Sequence, residues 1–449
     1  MADPFLLAHL VHPLFFDIGG RLAPVSIRDQ MVRAHTAVDR GIEEGLIGPK
    51  RPLLVIGAGA AGATAAIRSA ARGVPTLLVE AARGPFLRQA GCRTRWIDPV
   101  QYDWPVDHWQ KGLYPPWLPP GMPLPWAAGY ANHISLAWAL TLNRARLRYP
   151  HLLVMYRTIL VGKPILLPSR LLQVRLFSRG RALPLFAPVG MVLSCVGAGT
   201  ERSTHGNYSG FDFWSTDPFQ KLTSTDRVLI SGGGDGALQD YLRITTGLKA
   251  AKEISLRLGI PLSIEQVLQS AEDQASRVYI WGRHARHDHA ALSRLHQLHE
   301  SLAAHLLAKF PLLSKALQTL TANMPGTVQL MYSCTHFSRC YGLNRFLVLL
   351  LATYLQNRGK NTLLNGRSLS DVQGVVHSCS HSPSVCYGKE HDVVTAQHSD
   401  CRMPPGAPIS LPGTFNVIVV RHGIDSAPPL FAGVHPIAQP RQMLPYHIG

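Results

Sequence analysis

The chain is short of acidic residues, has no closely paired cysteines and carries no long apolar run. Lys and Arg number 44 against 27 Asp and Glu in 449 residues, a formal charge of +17. That balance favours an anionic partner: nucleotide phosphates, an acidic substrate, nucleic acid or an anionic membrane. The basic residues are scattered, as at Arg144, Arg146 and Arg148 or Arg175, Arg179 and Arg181, in a chain with only 16% charged residues. This reads as a general bias, and nucleic acid is the weaker partner reading. Seven cysteines, at 92, 195, 334, 340, 379, 386 and 401, are odd in number and irregularly spaced, in a chain too long to need disulfide staples. A reducing compartment is expected. The longest apolar helix candidate, Phe346–Leu355, is too short for a bilayer, and MADPFLLAHLVHPLFF has an apolar run without a basic leader or small-residue cleavage site. A cytoplasmic protein with no transmembrane segment is the expectation.

What is present is a globular composition, 46% hydrophobic, in a length that suggests two intimately joined domains. Ser26 and Asp29 form an S-x-x-D cap ahead of apolar residues at Ile27, Met31, Ala34, Val38 and Ile42, which predicts a helix. The Pro- and Trp-rich stretch at 99–126 predicts an ordered loop or lid. LLVMYRTILVG, RLLQVRLFS and PVGMVLSCVGAG predict an antiparallel meander closing on a buried strand. Helices are expected within 247–275, over 288–320 and at RFLVLLLATYLQNRG, where Gly359 is the stop. SRVYIWGR at Ser276–Arg283 reads as a strand, 365–412 as a loop-rich tail, and FNVIVVRHG as a last strand.

Two glycine-rich turns carry the chemistry. In LLVIGAGAAG an apolar strand runs into Gly57-x-Gly59-x-x-Gly62, with Ala60 and Ala61 opening an Ala-rich helix and a second strand ending at Glu80. Gly57 makes the tight turn, Gly59 admits a pyrophosphate close to the backbone, and Gly62 brings helix and strand together. The helix amino terminus faces the phosphates, and Glu80 is placed to accept from a ribose hydroxyl pair. In RVLISGGGDGALQD the turn is Gly232-Gly233-Gly234-Asp235-Gly236-Ala237, the variant with Ala at the third glycine position. If SRVYIWGR is the next strand, Arg283 stands where a 2′-phosphate is held, which favours NADPH over NADH.

VIGAGAAG with Glu80, together with GGGDGALQD, resembles the flavoproteins with two dinucleotide-binding domains: thioredoxin reductase-like, glutathione reductase-like and flavin monooxygenase-like enzymes. The resemblance implies FAD on the first turn and NAD(P)H on the second. The fold class it implies is α/β, with two Rossmann-like three-layer domains, the second inserted into the first, and helical insertions. The boundaries implied are an FAD domain at 1–215 and 400–449 around an NAD(P) domain at 216–399, with VIVVRHG as the return strand and Asp425 just beyond it. The implied activity is hydride transfer from NAD(P)H to flavin, with electrons passed to a small-molecule substrate or to oxygen. A nucleotide-binding or redox-sensing protein without turnover is the alternative.

The departures are as informative. A dithiol mechanism needs a C-x-x-C or C-x-x-x-x-C pair, whereas Cys92 stands alone and Cys334 and Cys340 are too far apart. The F-x-G-x-x-x-H-x-x-x-W/Y signature of familiar flavin monooxygenases is missing. The His and Cys set at 377–401 lacks a short paired spacing, so no metal is expected there, and the histidines of RHARHDHAALSRLHQLHESLAAH read as a solvated helix face. Arg95, Trp96, Asp103, Trp104 and His108, the stretch Gly210–Phe219, and Asn344 with Arg345 are candidates for substrate or flavin contact.

Overall fold

A computed structural model describes residues 3–19, 26–99, 104, 122–124, 126–180, 183–197, 199–279, 285–373, 390–398 and 406–426. It divides into two compact units, one made of 1–93, 108–200 and 425–449, the other of 94–107 and 201–424.

The first unit is built on a six-stranded sheet. Its strands are β1 (Leu10–His12), β2 (Phe15–Asp17), β3 (Leu53–Ile56), β4 (Thr76–Glu80), β5 (Leu152–Tyr156) and β9 (Met191–Ser194), in the order β1-β2-β9-β3-β4-β5. All neighbours are parallel except β1 with β2. β3 and β9 are buried at every position, as a strand covered on both faces must be. Helix α1 (Ile27–Glu43) begins where the cap predicts, with Ser26 Oγ accepting from Asp29 N at 2.9 Å. Helix α2 (Ala60–Ala71) follows β3, and α3 (Ala131–Arg148) leads into β5. A separate antiparallel sheet joins β6 (Thr158–Leu160), β7 (Leu172–Ser178) and β8 (Leu185–Val189) in the order β8-β7-β6. The meander expectation needs one correction: LLVMY is a strand of the parallel sheet, β5, and the antiparallel strands begin only with β6.

The second unit holds a parallel sheet of β10 (Arg227–Ser231), β11 (Thr327–Tyr332), β12 (Leu363–Asn365) and β13 (Val417–Val420), ordered β12-β11-β10-β13. Between β10 and β11 run helices α4 (Asp235–Thr246), α5 (Ala251–Leu258), α6 (Leu262–Tyr279), α7 (Ala285–Lys309) and α8 (Pro311–Leu320), and α9 (Gly342–Gln356) links β11 to β12. Of the strand expected at Ser276–Arg283, the described part, Ser276–Tyr279, instead continues α6, whose apolar spacing through Leu268 and Ala275 buries one helical stripe. The strand after the second glycine turn is β11, and Arg283 lies outside the described residues. VIVV is not a return strand of the first sheet. It pairs with β10, Val417 opposite Val228, so Val417–Val420, within the segment expected at 400–449 as part of the first domain, is β13 of the second unit, while 425–449 groups with the first. Four β-branched residues buried on both faces suit either sheet, and only pairing with a distant strand chooses. Part of the expected tail loop is a three-stranded antiparallel sheet of Arg367–Val372, Val393–Gln397 and Pro408–Ser410.

Candidate dinucleotide sites

In the first turn Gly57 has φ +98°, and its N–H donates to Val79 O at 2.8 Å. A Cβ there would lie 2.7 Å from Cys195 O, so both backbone angle and space demand glycine. A Cβ on Gly62 would lie 1.8 Å from Gly57 O, which is why α2 can start so close beneath the turn. Gly59, the residue before α2, meets nothing within 4 Å of its Cβ position. Its glycine is therefore not needed by the protein's own packing, and its open side is the cradle that a methyl group would occupy. Ala60 and Ala61 open α2 and offer backbone N–H groups without intrahelical partners, an anion site. Glu80 Oε2 accepts from Ala58 N at 2.7 Å and Oε1 from Ala82 N at 2.8 Å. Both oxygens are fixed in direction by the backbone, and each keeps lone-pair capacity for a further donor.

The second turn repeats this construction in the other unit. Gly232 has φ +146°, its N–H donates to Met331 O at 2.8 Å, and its Cβ would meet Arg421 O at 2.2 Å. Gly234, preceding α4, again has an open Cβ position. Gly233 O accepts from Ser338 N at 2.8 Å, and its Cβ would press on Ser338 Oγ and Tyr332 Cβ, each at 3.2 Å. Gly236 faces the Phe213 ring. Ala237 is fully buried where the first turn has Gly62; here its N–H donates to Gly234 O at 3.0 Å, a tighter opening turn. Asp235 accepts from Tyr341 N and Asn344 Nδ2, both at 2.9 Å, and loss of water raises its carboxyl pKa to about 6 against those two bonds.

Beneath α4 lies a buried ion cluster that the sequence did not announce. Asp240 accepts from Arg95 Nη1 at 2.5 Å, Arg421 Nε at 2.9 Å and Arg243 Nη1 at 3.3 Å. Asp217 pairs with Arg243 at 2.9 Å. Burial alone raises the Asp240 pKa, but the guanidinium charges of Arg95, Arg421 and Arg243 outweigh it and hold the pKa down at about 2. Arg95 also lies 3.8 Å from the Phe213 ring centroid. Arg95 and the Gly210–Phe219 aromatics are thus structural, and so is Trp104, stacked on Phe346 at 6.0 Å with its indole N–H to Glu265. Trp96 lies under Lys249 Nζ at 4.0 Å. Asp103 and His108 lie outside the described residues, as does the side chain of Asp425. Asn344 anchors Asp235, while Arg345 is fully buried with Nε 3.6 Å from Glu272, an internal pair and not a substrate anchor.

The α7 histidines are not all solvated. His296 is 5% exposed and His299 0%; burial, with Arg345 nearby, lowers the His296 pKa to about 3. The helix packs on α6 and α9, which its polar-looking sequence hides. Cys92 and Cys195 are buried thiols outside any disulfide, and burial drives the Cys195 thiol pKa up, which suits packing and not thiolate chemistry. Cys334 is disulfide-bonded.

No family model matches the chain, and no curated protein matches it. No helix among the described residues is long and apolar enough to cross a membrane. Solved structures to which it is similar include the thioredoxin reductase of Lactococcus lactis, 12% identical over 84% of this chain and 78% of that one, with a TM-score of 0.40. The bacillithiol disulfide reductase of Staphylococcus aureus is 10% identical over 83% and 76%, TM-score 0.39. The FAD-bound cadaverine monooxygenase of desferrioxamine biosynthesis from Erwinia amylovora is 11% identical over 84% and 79%, TM-score 0.38.

Proposed function

We propose that the chain is an FAD-dependent oxidoreductase that takes hydride from NAD(P)H and delivers the electrons to a small-molecule substrate or to oxygen. The observation that carries this reading is the first turn: a positive-φ Gly57 closed against the neighbouring strand, an open Gly59 at the start of α2, and Glu80 with both oxygens oriented by backbone N–H groups. That set fits an adenine dinucleotide, with the pyrophosphate over Gly59, Ala60 and Ala61 and the ribose hydroxyls on Glu80. When bound, flavin and nicotinamide supply the hydride chemistry; the chain supplies binding and orientation.

The second turn supports a second dinucleotide and differs where discrimination is made. β11 ends at Tyr332 and is followed by Ser333, so the acid that would favour a free 2′-hydroxyl is missing. NADPH is the donor this favours. The 2′-phosphate would be read by the loop leaving β11, whose arginine is Arg339, in place of Arg283.

The test is an anaerobic titration of the purified protein with NADPH and then NADH, following the visible absorbance of oxidised flavin. Bleaching supports the oxidoreductase. Bound FAD that never bleaches, or no flavin even after FAD is added, selects a nucleotide-binding or sensing protein, and salt-sensitive RNA or DNA binding would point to a nucleic-acid partner.

A further inference from the structure

Among the described residues, one group of His and Cys side chains outside the glycine turns comes together with the spacing of metal ligands. The loop that leaves β11 carries Cys334 and His336, and the first turns of α7 carry His289. Their ligand atoms all lie within 4.8 Å of one another. His336 Nδ1 is 2.8 Å from Phe337 O. Only an N–H can satisfy a carbonyl, so the proton sits on Nδ1 and the Nε2 lone pair is left facing the cluster, 2.8 Å from His289 Nδ1. A backbone carbonyl that fixes the tautomer in this way is the usual outer support of a metal-ligating imidazole. Behind the ring, Phe337 packs edge-on against His296 and Tyr332, a rigid floor. His336 is buried while His289 is half-exposed, so an ion has a way in.

We propose that His289, Cys334 and His336 form a site for zinc, or a divalent transition metal of like chemistry, that is available when the Cys334 disulfide is reduced. Two imidazoles and one thiolate are borderline-soft donors, which select zinc-class ions over calcium or magnesium. A tetrahedral zinc ion sets its nitrogen ligands about 3.3 Å apart and nitrogen from sulfur about 3.6 Å. The two imidazoles would open slightly and the sulfur would close in, changes within the reach of χ rotations. Three protein donors leave one position for water or a further ligand.

Cys334 is oxidised in the structure, so uptake is coupled to thiol chemistry. A dithiol gives two electrons and two protons, the S–S bond breaks, both cysteines become thiols and the reductant leaves as its own disulfide. Binding of the cation then forms the sulfur–metal bond and releases the Cys334 proton to solvent. His289 Nδ1 presents its lone pair once its proton has moved to Nε2. Because Ser338 of the same loop donates to Gly233 O, the metal would fix a wall of the second glycine turn.

The test uses the full chain, reduced with dithiothreitol, desalted anaerobically and titrated with cobalt(II), followed by zinc(II) competition. One equivalent of cobalt with a thiolate-to-cobalt charge-transfer band, displaced by zinc, is expected for the reduced protein and not for the oxidised one. Cys334→Ser should abolish that band, and His336→Ala and His289→Ala should each weaken binding by at least about ten-fold. His305→Ala, an exposed position on the same helix, should change nothing. Circular dichroism of each variant separates lost ligation from lost folding, and His289→Ala, at a half-exposed position, keeps the test available if a loop variant unfolds. The absence of a charge-transfer band in folded, reduced protein overturns the proposal, as does a band that survives Cys334→Ser. Equal cobalt binding before and after reduction overturns the coupling to the disulfide.

Discussion

The two glycine turns are built to one plan and differ in what seats the helix that follows. In each, the first glycine has positive φ and its missing side chain makes room for a carbonyl from the next strand over, Cys195 O in one and Arg421 O in the other. In each, the glycine before the helix is open. Below that level they part. Helix α2 is seated by small apolar residues, with Gly62, Ala63, Ala65, Ala66 and Ala70 all buried. Helix α4 buries larger apolar residues, Leu238, Tyr241, Leu242 and Ile244, and beside them a charge cluster, Asp240 among three arginines. Close packing of small residues is cheap to desolvate and intolerant of added volume. A buried ion cluster tolerates shape changes poorly for another reason, since removing one member strands the rest.

The largest way to break the comparison is Asp240→Ala, which leaves Arg95, Arg243 and Arg421 facing one another. A loss of about 3–5 kcal/mol is expected in denaturant unfolding, confined to the second unit. The pH dependence has the same origin. Because the folded pKa of Asp240 is held below its unfolded value, its contribution is complete above pH 3.8 and is lost as pH falls through about 2.

Glu80→Ala comes next. It removes a charged acceptor of two backbone N–H groups and of the proposed ribose pair, and should weaken FAD binding by about 10- to 100-fold, from roughly 1.5–3 kcal/mol per charged hydrogen bond. Equilibrium binding of FAD to apoprotein measures it; unchanged affinity would remove Glu80 from the site.

The two glycines of the first turn should separate folding from binding. Gly62→Ala puts a methyl 1.8 Å from Gly57 O and should cost about 1–3 kcal/mol of stability. Gly59→Ala, with an ordinary φ of −76° and open space, should leave the melting temperature within about 2 °C of the wild type while lowering FAD affinity. Thermal melts of the apoproteins alongside FAD titrations make the distinction, and equal behaviour of the two variants would count against a phosphate cradle at Gly59.

The smallest effect concerns Asp235. Its pKa of about 6 means that NADH binding should tighten as pH falls through 6, when the acid beside the second turn becomes neutral. Asp235→Asn should flatten that dependence and strengthen binding near pH 7.5 by a few-fold, about 0.3–1 kcal/mol for one charge at a helix amino terminus. Isothermal titration with NADH, which has no titrating 2′-phosphate, is the measurement.

Both turns were legible from residues because every part of them is close in sequence: an apolar strand, glycines at fixed offsets and a helix that starts at once. Glu80 was legible because β4 comes directly after α2. The strand reading of SRVYIWGR gave way over Ser276–Tyr279, since that short run competes with a helix already under way from Leu262, and the buried stripe of α6 prevails. The buried state of His296 and His299 was invisible because their helix meets its neighbours only after distant segments have packed.

The sequence by itself determined that there are two strand–turn–helix units with a carboxylate on the first, because glycine's steric freedom and the helix period act within a few residues of each other. Only the tertiary structure decided which sheet receives Val417–Val420, that Arg95 belongs to an ion cluster with Asp240, and that His289 meets Cys334 and His336. Those choices turn on pairing and burial between residues far apart in the chain, where identical local patterns have the same intrinsic preference and only the surroundings differ.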